Sequence, residues 1–113
     1  MQIQINPGQG VAVSEALDSH ISERLERLGR RFGDRLTRIE VHLVDVNGPK
    51  GGVNKQVKME ARPRGLEPLL AEAMAESAYD AVSGAAARLE KVIASRFGKQ
   101  ENRRGRVPEE PED

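Results

Sequence analysis

Cysteine and tryptophan are absent from this 113-residue chain, and other aromatic side chains are few. Without cysteine there can be no disulfide framework and no thiolate metal site. His20 and His42 are the only histidines, so a zinc site would depend on carboxylates, and we expect neither a metal nor a cofactor. The aromatic residues are Phe32, Tyr79 and Phe97, which predicts an aliphatic core and argues against base stacking as the main binding mode.

Long apolar runs are also missing. No stretch approaches the roughly 20 apolar residues that a membrane-spanning helix requires. The first ten residues alternate polar and apolar side chains, unlike the continuous apolar run of a signal peptide. We therefore expect a cytoplasmic protein, and a chain of this length fits one compact domain.

The formal net charge is zero, with 18 basic and 18 acidic residues. A neutral total is not typical of proteins that bind nucleic acid. Four of the acids, however, lie together among residues 109–113: Glu109, Glu110, Glu112 and Asp113. Without them 18 basic residues face 14 acidic ones, so the body of the chain has a modest positive excess.

Hydrophobic periodicity predicts a strand and then a helix in the first part of the chain. Ile3 and Ile5 alternate with polar residues, which indicates a short strand ending at Pro7-Gly8. Ser14 is a suitable N-cap for an amphipathic helix that extends to about Gly33. The apolar side chains of this helix recur at helical spacing: Leu17, Ile21, Leu25, Leu28 and Phe32.

Two alternating segments follow and predict a hairpin. The apolar face of the first holds Ile39, Val41 and Leu43, and that of the second holds Val57, Met59 and Ala61. The Gly-Pro-Lys-Gly-Gly stretch at 48–52 lies between them and fits a flexible hairpin loop. It lacks the Gly-Lys-Ser/Thr ending of a phosphate loop, and a strand follows it rather than a helix.

Paired carboxylates on this hairpin are the only arrangement that suggests catalysis. Glu40 and Glu60 could face the same side of the sheet, as an acid–base pair would. They alternate with Arg38, Lys58 and Arg62, which favours cross-strand ion pairs instead. No serine lies in a nucleophile elbow, so we predict that the protein is not an enzyme and has no small-molecule substrate.

The last part of the chain contains one ambiguous segment. Residues from Pro68 to Met74 fit either the first turns of a helix, which their propensity favours, or an edge strand, which would accept Pro68. From Tyr79 a helix is clear, with one apolar side: Val82, Ala85, Ala86, Leu89, Ile93 and Phe97. After Gly98 the chain is charged and nearly free of apolar residues, so residues 99–113 are predicted to form a disordered tail.

Basic side chains concentrate on particular sides of the two helices, given a turn of about 100° per residue. On the first helix they flank the apolar stripe: His20, Arg24, Arg27 and Arg31. On the second helix they share the outer side: Arg88, Lys91 and Lys99. Arg30 lies among acids, and Arg96 lies nearer the apolar edge. Basic ridges without aromatics suit phosphate contacts with structured RNA, although solvation and the helix dipole also produce such patterns.

The order of these elements resembles the ribosome hibernation factors, the sigma-54 modulation protein-like family of ribosome-associated inhibitor A and hibernation-promoting factor. Three stretches, which together cover nearly all of residues 1–99, carry the resemblance. SEALDSHISERLERLGRRF looks like the first helix of the family, and AYDAVSGAAARLEKVIASRFGK looks like its final helix. VDVNGPKGGVNKQVKMEAR is similar to the central hairpin of the short members.

This resemblance implies an α+β fold in the order β-α-β-β-β-α, with two helices packed on one face of a four-stranded sheet. Residues 1–98 would form the ribosome-binding domain, and the family has a strand at Pro68 to Met74. The resemblance also implies a translation inhibitor that binds rRNA of the small ribosomal subunit and occludes the channel for messenger and transfer RNA under stress. The chain shows no counterpart of the second domain through which long members dimerise, so we expect a monomer.

Ten basic residues are the candidate RNA contacts: Arg24, Arg27, Arg30, Arg31, Lys50, Lys55, Arg88, Lys91, Arg96 and Lys99. Six of them match basic positions of the family helices: Arg24, Arg27, Arg30, Arg88, Lys91 and Lys99. Two alternatives stay open. One is a divergent protein-interaction module on the same scaffold without ribosome binding, and the other is a small hydrolase or nuclease, for which no set of residues converges.

Overall fold

The structure, a computed structural model, describes residues 1–47 and 53–105. Two helices and four strands follow one another in the order β1-α1-β2-β3-β4-α2, which confirms the predicted α+β fold. Their bounds are β1 Gln2–Pro7, α1 Glu15–Phe32, β2 Leu36–Asn47, β3 Val53–Pro63, β4 Leu69–Ala75 and α2 Ala78–Gly105. A short 3-10 turn, Gly33–Arg35, connects α1 to β2.

The four strands form one mixed sheet in the spatial order β1-β2-β3-β4. β1 and β2 are parallel because α1 is the crossover between them, whereas β2 and β3 form the predicted antiparallel hairpin. β4 pairs antiparallel with β3 and lies at the edge of the sheet. The predicted hairpin loop at 48–52, including Lys50, lies outside the described residues.

The core lies between one face of the sheet and the two helices. Ile39 and Val41 of β2 and Val57 and Met59 of β3 are fully buried there. The helices contribute Ile21, Leu25, Val82, Leu89 and Ile93, which are also fully buried. Phe97 is the only aromatic residue in the buried cluster of the described residues, so the prediction of an aliphatic core is confirmed.

The two helices lie side by side and point in the same direction. Near the start of both, His20 Nε2 lies 3.2 Å from the Tyr79 carbonyl oxygen and 3.1 Å from Ser83 Oγ. Farther along, Arg31 pairs with Glu90, and the rings of Phe32 and Phe97 meet edge to face with centroids 5.4 Å apart. Later residues of α1 therefore contact later residues of α2, as expected for two helices that run parallel.

The structure of β4 differs from the helix that local sequence favours at residues 68–74. Leu69–Ala75 is a strand, as the family resemblance implied. Ala73 is buried and Ala71 packs against the core, while Leu70 and Met74 point to the open face of the sheet. Pairing with β3 uses this alternation, for example Met59 opposite Ala71, so tertiary context outweighs the intrinsic helix propensity of the segment.

α2 is longer than predicted. It continues through Gly98 to Gly105, past residue 99, where the sequence predicts that the disordered tail begins. A glycine inside a helix costs only about 1 kcal/mol relative to alanine. The following residues, Lys99, Gln100 and Glu101, are good helix formers that offset this cost. Residues 106–113 lie outside the described part of the chain.

Ser14 caps α1 as predicted, because its hydroxyl accepts a hydrogen bond from the Leu17 amide at 3.1 Å. We expect Ser14→Ala to lower the free energy of unfolding by about 1 kcal/mol, since this amide then loses its acceptor. Ser19→Ala is the matched control, because Ser19 is exposed inside the same helix. Urea denaturation of both variants tests the expectation, and equal stabilities would contradict it.

Candidate nucleic-acid interface

Arg24 and Arg27 lie along the side of α1 that faces α2. His20, Arg24, Arg27 and Arg31 share one helical stripe, and both ends of this stripe contact α2. The two central arginines therefore overlook the junction between the helices. Both are exposed, and neither has a carboxylate partner among the described residues.

Lys91 continues this surface onto α2. It follows Glu90, which faces α1, and one further step of about 100° points it to solvent. Lys91 is exposed and likewise has no carboxylate partner within the described ranges. We call Arg24, Arg27 and Lys91 the interhelical cationic surface. No ion pair within the described residues compensates their charges, so these residues can be approached by an external anion.

Three other predicted RNA contacts lie on the helices but do not belong to the interhelical cationic surface. Arg30 is exposed on α1, where acidic Glu23 and Glu26 share its side of the helix. Lys99 is exposed on α2, and Arg96 is half-buried. None of the three has an ion pair that the described part of the chain supplies. These three cations are therefore spread over the helix side and do not form one compact site.

Three of the predicted RNA contacts already make side-chain contacts within the chain. Arg31 Nη1 lies 2.7 Å from Glu90 Oε2, and Lys55 Nζ lies 2.7 Å from Asp45 Oδ1 on the neighbouring strand. Arg88 Nη1 instead donates to the main-chain oxygen of Glu72 on β4, at 2.7 Å. A main-chain oxygen carries no net charge, so Arg88 keeps its full charge but is directed towards the edge of the sheet.

Two further arginines, Arg35 and Arg64, lie close together beyond the C-terminal end of α1. The sequence analysis did not identify either of them as a candidate. The Arg35 guanidinium lies 3.9 Å from the centre of the Phe97 ring. Arg64 donates through Nε and Nη2 to the Asp34 carbonyl oxygen, at 3.3 and 3.1 Å. The Arg64 amide also donates to the Arg35 carbonyl oxygen. These residues come from a 3-10 turn and a loop, so helical periodicity could not reveal them.

Arg31 belongs to the same end of the molecule, since the Phe32 ring lies below its guanidinium and contacts Phe97. We call Arg31, Arg35 and Arg64 the arginine corner. Each has a side-chain contact that restricts its movement: a carboxylate and a ring for Arg31, a ring for Arg35 and a carbonyl oxygen for Arg64. Guanidinium groups held in this way lose less conformational entropy when they bind an anion.

The opposite face of the sheet carries an ion-pair network. Glu40 contacts Arg38 at 2.8 Å and Arg62 at 3.5 Å, and Arg62 also contacts Glu60 at 2.9 Å. The prediction of cross-strand ion pairing is therefore confirmed. Glu40, His42 and Glu60 bring possible ligand atoms within 4.8 Å of one another. Both carboxylates already face guanidinium groups, however, and these would repel a metal cation.

Two parallel helices on one face of a mixed four-stranded sheet, with exposed cations on the helix side, define a small α+β domain. The family model described as sigma 54 modulation protein / S30EA ribosomal protein matches residues 3–101. The chain belongs to this family, which consists of ribosome-associated factors and not of enzymes. None of the described helices is long and apolar enough to cross a membrane.

Solved structures share the fold. A ribosomal subunit interface protein from Coxiella burnetii is 22% identical, with a TM-score of 0.72 over 87% of this chain and 99% of that one. The N-terminal domain of Protein Y from Thermus thermophilus is 21% identical, with a TM-score of 0.64 over 86% and 99% of the two chains. No curated protein matched. At these identities the structural likeness supports the fold, and the family model supports the link to the ribosome.

Proposed function

We propose that this protein inhibits translation by binding rRNA of the small ribosomal subunit and occupying the channel for messenger and transfer RNA under stress. Membership of a ribosome-associated family supports the general role. The observation that carries the RNA-binding proposal is the interhelical cationic surface, whose three cations have no carboxylate partner in the described chain. Such a surface is complementary to closely spaced phosphates.

Inhibition would follow from occupancy alone. The chain would act by excluding messenger and transfer RNA, so no chemical step is required, in keeping with a family that is not enzymatic. RNA helices are recognised largely by shape and by backbone contacts, which suits helices with few aromatic side chains. We place this activity in the cytoplasm and expect the protein to bind as a monomer.

Co-sedimentation with purified small subunits across a salt series tests this function. Binding is expected to weaken steeply as salt rises, because each protein–phosphate contact releases counterions. Three phosphate contacts predict a slope of log K against log salt of about −2 to −3. Absence of binding at low salt would refute the proposal, and a slope near zero would refute its electrostatic basis.

A protein-interaction module without ribosome binding is the second candidate. It is favoured by apolar side chains on the open face of the sheet, where Leu70 is 66% and Met74 is 52% exposed. Exposed apolar groups on one face can mark a protein contact. This candidate predicts no salt-dependent sedimentation with subunits, so the same experiment separates it from the main proposal.

A further inference from the structure

β1 is an edge strand whose free side can be assigned from one hydrogen bond. The Gly8 amide donates to the Leu43 carbonyl oxygen of β2 at 2.7 Å, and the two strands are parallel. In a parallel ladder every second residue of a strand bonds to the same neighbour. The even-numbered residues of β1 therefore bond to β2, while Ile3 and Ile5 direct their N–H and C=O groups away from the sheet.

Pro7 supports this assignment. On an edge strand, proline is accepted where its missing N–H group would face solvent. Pro7 is odd-numbered, like Ile3 and Ile5, and so belongs to the outward set of β1. Within residues 1–47 and 53–105, no other group bonds to the outward N–H and C=O groups of Ile3 and Ile5. β1 thus presents main-chain donors and acceptors that can accept another strand.

The other edge of the sheet is better protected. Arg88 donates to the Glu72 carbonyl oxygen in the middle of β4. Pairing of β4 with a copy of itself about that point would also place two Glu72 carboxylates opposite each other, which is unfavourable. By contrast, Gln2–Pro7 contains no charged residue, although charged side chains are a common means of preventing association at sheet edges. β1 is therefore the edge at which another strand can add.

A second copy of β1 matches this edge. In antiparallel pairing about a twofold axis at Gln4, Ile3 of each copy lies opposite Ile5 of the other, and each such pair exchanges both N–H···O bonds. Gln4 then faces Gln4 of the second copy, and Gln2 faces Asn6. Apolar side chains meet apolar ones and amides meet amides, so no like charges lie opposite each other.

The helix side of this edge has room for side chains of the second copy. Ile3 and Ile5 are only half-buried, whereas Ile39, which pairs with Ile3 in β2, is fully buried. An open cavity of about 510 Å³ lies next to the start of β1, lined in part by Met1, Ile3 and Gly29. In the antiparallel register, Ile5 of the second copy lies beside Ile3 at this cavity. It would cover apolar surface that one copy leaves in water.

We propose that two copies of the chain associate in free solution through antiparallel pairing of their β1 strands, which joins two four-stranded sheets into one continuous sheet. The strand is short and ends in proline, so the contact is small and the association is weak and reversible. The dimer forms at high concentration, and the monomer is the dilute form. This association concerns the free protein and does not depend on ribosome binding.

Amide hydrogen exchange, followed by NMR on the full chain, tests the assigned edge. We expect the Ile3 and Ile5 amides to exchange rapidly at about 20 µM protein and to become about fivefold or more better protected at about 1 mM, as the dimer forms. The Gln4 and Asn6 amides, which bond to β2, should stay protected at both concentrations. Rapid exchange of both isoleucines throughout overturns self-association and leaves this edge to a strand of another protein. A dimer that leaves them unprotected overturns the assigned interface.

Charge at the twofold axis tests whether the partner is a second copy. Gln4 is exposed, and Gln4→Lys or Gln4→Glu would each place like charges opposite each other in the dimer. The matched control, Gln9→Lys, adds the same charge at an exposed position outside β1. By analytical ultracentrifugation, we expect either Gln4 variant alone to associate about fivefold or more weakly than the wild type, and Gln9→Lys to associate equally well.

Mixing the two Gln4 variants provides the decisive comparison. Opposite charges then meet at the axis, so the equimolar mixture should associate at least as tightly as the wild type. This recovery requires that the same residue of both copies lies at the axis, as the proposed register demands. No recovery in the mixture, or equal weakening by Gln9→Lys, overturns pairing through β1.

Discussion

Arg27→Glu combined with Lys91→Glu is expected to reduce affinity for the small subunit at least a hundredfold at low salt. Both residues belong to the interhelical cationic surface, and both are exposed without a carboxylate partner among the described residues. If the proposed function is correct, reversal would replace two attractive phosphate contacts with two repulsive ones. Since neither side chain supports the core, the melting temperature should change by no more than a few degrees.

A single-site comparison controls for net charge. Lys91→Glu and Lys58→Glu change the charge equally, but Lys58 is exposed on β3 beside Glu72, on the opposite face of the sheet. We expect Lys91→Glu to weaken subunit binding by about tenfold or more and Lys58→Glu to have little effect. Equal losses would show that overall charge, and not the helix surface, determines binding.

Arg88 is a poorer test residue than sequence alone indicates. Its exposure predicts that charge reversal would leave the fold intact. The structure shows that Arg88 donates to the Glu72 carbonyl oxygen, so Arg88→Glu would place a carboxylate next to that oxygen. Loss of binding in such a variant would combine electrostatic and structural causes, which Arg27 and Lys91 avoid.

Leu25→Ala is expected to have the largest effect on stability. Leu25 is 0% exposed on the face of α1 that packs against the sheet. Truncation of a buried leucine typically costs about 2–5 kcal/mol, out of a total of about 5–15 kcal/mol for a small domain. A loss of about 3 kcal/mol would lower the melting temperature by about 15 °C. Calorimetry and urea denaturation measure both quantities.

Leu70→Ala is the matched control for this substitution, because the same atoms are removed from a side chain that is 66% exposed. Surface substitutions of this kind usually change stability by no more than about 0.5 kcal/mol. Similar losses at both positions would contradict the packing described for α1.

Periodicity predicted most of the secondary structure because the buried faces are regular. The five apolar residues of α1 and the alternation in β2 and β3 correspond directly to the sides that face the core. The segment at 69–75 was ambiguous for a physical reason. Its alanines and glutamate favour helix, and it is pairing with the preceding strand β3 that makes the extended conformation favourable.

Charge patterns predicted the location of cations but not their partners. The helical stripe correctly grouped Arg24, Arg27 and Arg31 on one flank, and the contacts of Arg31 and His20 now show that this flank faces α2. Arg31 and Lys55 are compensated by acids on other elements, which no local pattern reveals. Arg35 and Arg64 meet only because a turn and a loop come together in three dimensions.

The hydrogen bond from Arg88 to Glu72 has a consequence for solubility. β4 is an edge strand with two exposed apolar side chains, Leu70 and Met74, and such edges can recruit strands of neighbouring molecules. Arg88 occupies one main-chain acceptor of this strand and keeps a charge beside it. Natural variation at Arg88 would therefore be restricted by the need to avoid aggregation, independently of any contact that its guanidinium makes with RNA.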